Sequence, residues 1–132
     1  AIHPDFGLGG KEVRLEPMPY PQAWRVYLAK EIKKAVSIPV IAVGVIREPR
    51  VAVDVLAAGE ADFVALGRAL NADPEWPNKA RSGNAADIRP CIGCCLGCIE
   101  TAFKLLAGAT CVMNPEVLEH PKANEWLASL RS

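Results

Sequence analysis

The chain has 132 residues, just over half of them apolar, and its 15 basic side chains balance 15 acidic ones. That size and polarity suit one folded domain and exclude a disordered tail or a basic nucleic-acid binder. No apolar run reaches the roughly 18–20 residues of a membrane span and no basic-then-apolar leader opens the chain, so the expected setting is the cytoplasm, with neither membrane nor nucleic acid as partner.

The opening stretch to Pro21 carries three glycines and four prolines and reads as loop. Ala1 stands where an initiator methionine would, so the chain is expected to begin within a fold. From Gln22 to Val36, Trp24, Tyr27, Leu28, Ile32, Ala35 and Val36 recur at helical spacing, with Arg25, Lys30, Lys33 and Lys34 mainly elsewhere, which predicts an amphipathic helix with a solvated basic face. Ile38 to Gly44 is a short apolar, β-branched run, the pattern of a strand buried on both faces of a parallel sheet. Pro49 suits the first turn of a second helix, which Gly59 should stop. Ala61 to Gly67 repeats the buried-strand pattern, and a proline-punctuated helical stretch follows through Glu75, Trp76 and Lys79.

Helix, strand, helix, strand, helix implies a parallel βαβ unit with a right-handed crossover. Two parallel strands alone leave both edges unpaired, so the missing strands should come from further sequence, a partner chain or self-association. Composition changes over Ser82–Pro90, dividing the chain into residues 1–81 and 82–132. Beyond it, Ile99–Ala107 and Pro121–Leu130 are expected as short helices.

Five cysteines fall between Cys91 and Cys111, an odd number in a short stretch, which suits a metal or redox site better than a disulfide framework. Cys91, Cys94, Cys98 and Cys111 have the three-close, one-distant spacing of a [4Fe–4S] ligand set: a tight loop reaches three iron corners and a later segment returns the fourth thiolate. Gly93 and Gly97 permit the close backbone approach that such wrapping needs. Tetrahedral zinc is the alternative, although zinc ribbons usually pair two separated Cys-x2-Cys knuckles. Cys91, Cys95 and Cys98 also spell a radical-SAM-like triplet, but after the βαβ unit rather than after a first strand. Cys95 reads as a neighbouring thiol rather than a ligand.

Gly44 and Gly67 each close a predicted strand, at the sheet edge where α/β folds bind ligands. Bare glycines let backbone N–H groups approach phosphate oxygens, and Arg68 adds a charged donor fork. Ordinary turn glycines are the competing reading. His3, His120, Tyr20 and Tyr27 show no catalytic pairing.

Taken together, IPVIAVGVI, GEADFVALGRALNADPEW, RPCIGCCLGC and CVMNP resemble the iron–sulfur branch of the Old Yellow Enzyme (NADH:flavin oxidoreductase) family, over about Ile38 to Pro115. This branch includes 2,4-dienoyl-CoA reductase and the trimethylamine and dimethylamine dehydrogenases. The resemblance implies an α/β fold, a partial TIM barrel whose two strands are the seventh and eighth, followed by a small cysteine-rich iron–sulfur segment. It implies that Val43, Gly44, Gly67 and Arg68 bind the FMN phosphate and that Cys91, Cys94, Cys98 and Cys111 hold the cluster, which relays electrons to or from FMN.

The expected reaction is reduction of an activated C=C bond of a small molecule, of enoate or dienoyl-CoA type, with electrons from NAD(P)H. Amine oxidation and a non-enzymatic electron-transfer subunit are the alternatives. The family's substrate-orienting His and Tyr residues lie on earlier strands, so no catalytic acid or base is assigned. Cys95, and Leu118, Glu119 and His120 after CVMNPEV, depart from the family's usual pattern.

Overall fold

The computed structural model describes residues 1–4, 20–100 and 109–118. The chain divides into two compact units, Ala1–Leu66 and Gly67–Ser132.

In the first unit, α1 (Val26–Ala35), β1 (Ile41–Ala42), α2 (Pro49–Ala57) and β2 (Phe63–Val64) follow in that order. The strands are parallel, with Ile41 opposite Phe63 and Ala42 opposite Val64, so the βαβ reading holds. Helix α1 begins later than its apolar periodicity suggested. Ala23 adopts a left-handed φ of 60° and donates its N–H to the Gly44 carbonyl at 2.9 Å, which makes the preceding residues a turn. Val26 and Ala29, three apart, bury one face of α1 against Val40, Ala42, Val55 and Ala61, with Ile32 and Val36 packed alongside. Lys33 and Lys34 occupy the last turn of α1, where positive charge suits the exposed carbonyls.

Helix α2 starts with Pro49 at its first position and ends as its sequence predicts. Gly59 has φ 65° and donates to the Leu56 carbonyl at 3.0 Å, while Glu60 donates to Val55 at 3.2 Å. This paired closure satisfies carbonyls that the helix leaves open, and glycine takes the left-handed position without a Cβ clash.

The paired strands are shorter than the seven-residue apolar runs that contain them. Ile38 is 48% exposed and Phe63 57% exposed, so β2 is not buried on both faces by the described residues. One expected open edge is occupied: Ile2 donates to the Pro39 carbonyl and accepts from the Ile41 N–H, each at 2.8 Å. Because Val40 and Ala42 offer their carbonyls to the β2 side, Ile2 lies against the opposite edge of β1. Among the described residues no strand pairs with the outer edge of β2.

The second unit contains α3 (Arg68–Ala72), α4 (Trp76–Arg81), a 3-10 turn at Ala85–Asp87, a π-turn at Leu96–Glu100 and α5 (Pro115–Leu118). Gly83 and Asn84 close α4 by donating to Ala80 at 3.2 Å and Lys79 at 2.9 Å, with Gly83 at φ 80°. Packing thus divides the chain at Gly67, whereas composition changes after this cap. Ile99 falls in the π-turn. Glu100 does too, while residues 101–107 of that expected helix, the expected helix at 121–130 and His120 lie outside the described residues. None of the described helices is long and apolar enough to cross a membrane.

Candidate functional site

Helix α3 has only five residues, too few for a stable helix on their own, and it is held by contacts to later segments. Asp73 caps it and is fully buried. Its carboxylate accepts from the Glu75 N–H at 3.0 Å, the Arg89 N–H at 2.9 Å and Lys79 Nζ at 2.6 Å. Burial pushes the carboxyl up, but Lys79 and the N–H groups of Arg89 and Glu75 outweigh it, so its pKa lies below the usual 3.8. The Arg89 bond anchors the chain just ahead of Cys91.

The cysteine loop follows. Gly93 and Cys95 both have left-handed backbones, φ 70° and 59°, and for a non-glycine residue such a conformation costs roughly 1–2 kcal/mol. Arg68, the first residue of α3, donates from Nη1 to the Cys95 sulfur at 3.3 Å, and the Cys95 thiol points its own proton at the Gly93 carbonyl, 3.6 Å away. The π-turn carrying Cys98 comes next; such widened turns recur at functional positions.

Gly97 is the crossing point between the two cysteine segments. A Cβ there would fall 2.6 Å from the Thr110 carbonyl oxygen and 2.7 Å from its hydroxyl, so only glycine admits this approach. The Thr110 N–H and hydroxyl both donate to the Gly97 carbonyl, at 3.1 and 3.2 Å. Cys111 is the next residue, and the turn after it closes when the Asn114 N–H donates to the Cys111 carbonyl at 3.1 Å. The fully buried Asn114 amide in turn donates to the Asn71 carbonyl of α3 at 3.0 Å.

As a result all five cysteines, each a half-buried free thiol, line one pocket with Arg68, Asn71, Ile92, Thr110 and Val112. Among the described residues no three His, Cys, Asp or Glu side chains converge closely enough to hold a single metal ion. The Cys98 thiol is pushed up to about 11, first by burial and then by neighbouring Cys95, with Arg68 opposing.

The four residues expected to cradle a phosphate differ in their surroundings. Val43 is half-buried and Gly44 buried in the first unit. Gly44 has φ 134°, and a Cβ on it would come within 2.8 Å of the Arg25 Cβ, so packing alone demands glycine there. Val45 follows at φ 53°, a genuine backbone outlier for a β-branched residue and the kind of strain that gathers at ligand-binding loops. In the second unit Gly67 is exposed, and an added Cβ would meet nothing within 4 Å. Arg68 is half-buried beside Cys95. His3 is exposed, and Tyr20 packs on Trp24, ring centroids 4.9 Å apart.

Sequence reasoning missed Gln22, whose side-chain oxygen accepts from the Arg47 and Glu48 N–H groups at 2.8 and 3.1 Å and thereby fixes the loop after β1. Arg25, expected with the lysines on a solvated basic face, is instead buried over the Trp24 ring, and sequence reasoning also missed Asn71, Asp73, Thr110 and Asn114. Only Asp73 carried a signal, an Asp-Pro-Glu start ahead of α4.

The profile of the NADH:flavin oxidoreductase / NADH oxidase family matches residues 15–87. An NADH oxidase of Thermoanaerobacter brockii is 56% identical over 101 residues, 76% of this chain and 16% of that protein. A metal reductase of Desulforamulus reducens is 48% identical over 116 residues, 88% of this chain and 17% of that protein. Among solved structures, a 2-naphthoyl-CoA reductase in complex with 2-naphthoyl-CoA superposes with a TM-score of 0.73 at 31% identity, covering 83% of this chain and 16% of that one. The chain therefore spans about a sixth of the length of these relatives. By the family match and these relatives, the chain belongs to the NADH:flavin oxidoreductase / NADH oxidase family.

Proposed function

We propose that this chain is the phosphate-binding and cluster-bearing part of an FMN- and [4Fe–4S]-dependent oxidoreductase whose strands β1 and β2 are the last two of a TIM barrel. The observation that carries this reading is the shared pocket lined by Cys91, Cys94, Cys98 and Cys111. Three close cysteines and one distant, rather than two separated Cys-x2-Cys knuckles, suit a four-iron body better than tetrahedral zinc.

Cys91, Cys94, Cys98 and Cys111 would supply the thiolates, and Val43, Gly44, Gly67 and Arg68 would hold the FMN phosphate. When bound, FMN supplies hydride chemistry and the cluster single-electron transfer. Open space over Gly67 and the strained Val45 loop support the phosphate role. The residues of this chain anchor and orient the cofactors; no acid or base is assigned to them. The remaining barrel strands, from the same polypeptide or a partner, would complete the fold and bring the small-molecule substrate. Similarity to a cinnamate reductase and a 2-naphthoyl-CoA reductase supports reduction of an activated C=C bond, and similarity to a histamine dehydrogenase at the same 31% identity as the latter supports amine oxidation as the second reading.

The test is anaerobic purification of the protein with iron, sulfide, zinc and FMN determination. Four irons and four sulfides per chain are expected, with the broad visible absorbance lost in Cys91→Ala. Zinc without sulfide, or a full cluster in Cys111→Ala, contradicts the ligand assignment. Retention of FMN in Arg68→Ala and Gly67→Val contradicts the phosphate assignment.

A further inference from the structure

Cys95 belongs to none of the four proposed ligands, yet it sits between two of them with a left-handed backbone, φ 59°. Ordinary side chains disfavour that conformation, and asparagine tolerates it best after glycine. Arg68 Nη1 donates to its sulfur at 3.3 Å, and the thiol faces the Gly93 carbonyl at 3.6 Å. A turn in the other hand would redirect the backbone between Cys94 and Cys98, which both line the pocket. We propose that Cys95 is a positioning residue rather than a fifth ligand, and that Arg68 holds its thiol to fix the turn that sets Cys94 and Cys98 on the pocket.

This rests on the four-cysteine cluster reading. It deepens that reading by giving Arg68 a second role, because the guanidinium assigned to the flavin phosphate also braces the cluster loop. Loss of Arg68 should then loosen the cluster through Cys95 even where flavin is not involved.

The test compares Cys95→Asn, Cys95→Val, Arg68→Met and the double variant R68M/C95V in the anaerobically loaded protein without added FMN. Three quantities are read: iron and sulfide per chain, the electron paramagnetic resonance spectrum after reduction, and the rate of iron loss to a ferrous chelator. Cys95→Asn, which keeps an acceptor for Arg68 and accepts the left-handed turn, should match the unaltered protein in all three. Cys95→Val and Arg68→Met should each lose iron about tenfold faster, in line with the effect of removing a ligand-supporting contact. The double variant should lose iron less rapidly than the product of the two single effects, since the Arg68–Cys95 contact is lost in each single variant.

Iron content in Cys95→Asn as low as in Cys98→Ala would make Cys95 a ligand and overturn the proposal. So would unchanged iron loss in both Cys95→Val and Arg68→Met. These outcomes leave the cluster reading standing; zinc without sulfide in the unaltered protein overturns both.

Discussion

The two units are stabilised in different ways. The first is built around Val26, Ala29, Val40, Ala42, Val55 and Ala61, a contiguous apolar cluster between α1, α2 and the strands. The second buries only Ala69, Ala72 and Trp76 among its described apolar residues, alongside Asp73, Thr110 and Asn114. Its segments are joined by a few polar contacts: Asp73 to Arg89, Arg68 to Cys95, Thr110 to Gly97 and Asn114 to Asn71. Hydrophobic burial is non-directional and tolerates small shifts, whereas a hydrogen-bonded clasp either forms or leaves buried groups unsatisfied. On the function proposed above, a unit of the second kind would frame a bound group and depend on it.

The contrast is broken most strongly at Gly97. Gly97→Ala forces a Cβ against Thr110 backbone and side chain at under 3 Å, and should destabilise the second unit by about 3 kcal/mol. Chemical denaturation should show that loss together with failure to retain iron, while the transition of the first unit is unmoved. The converse variant is Val40→Ala, which empties a fully buried position. It should cost about 2 kcal/mol in the first unit and leave iron per chain unchanged.

Acid should act on the second unit through Asp73. Its folded pKa lies below its unfolded value, so its stabilisation is fully present above the ordinary carboxylate range and is lost as pH falls through the depressed folded pKa. In Asp73→Asn this acid transition should flatten, which a pH series of tryptophan fluorescence checks. The smallest effect belongs to surface ion pairs such as Lys30 with Glu60, 2.8 Å apart. Lys30→Ala should leave the denaturation midpoint of the first unit nearly unchanged, because solvent screens the pair.

How much of the molecule was legible follows the same division. Periodicity located α1 and α2, and Gly59 marked the α2 cap, because those signals are local. The two strands were found in place but overextended: apolar runs report burial, while pairing needs a neighbour that the run does not specify. Cysteine spacing singled out Cys91, Cys94, Cys98 and Cys111, which line one pocket together with Cys95, and Gly97 was marked for a close backbone approach that the structure makes with Thr110. The partners of that approach could not be read. Arg68 reaches Cys95 and Asn114 reaches Asn71 only through the tertiary fold, and neither residue type announces such a role. Gly44 was legible as special, but packing against Arg25 supplies a reason for it independent of any phosphate.

The most direct test of the dependence of the second unit on a bound cluster is amide hydrogen exchange on the anaerobically purified protein before and after iron is removed by a chelator. Residues 91–98 and 110–114 should lose protection on iron removal while α1 and the β1–β2 pair keep theirs. Unchanged protection across the cysteine segments, or equal loss in both units, would contradict it.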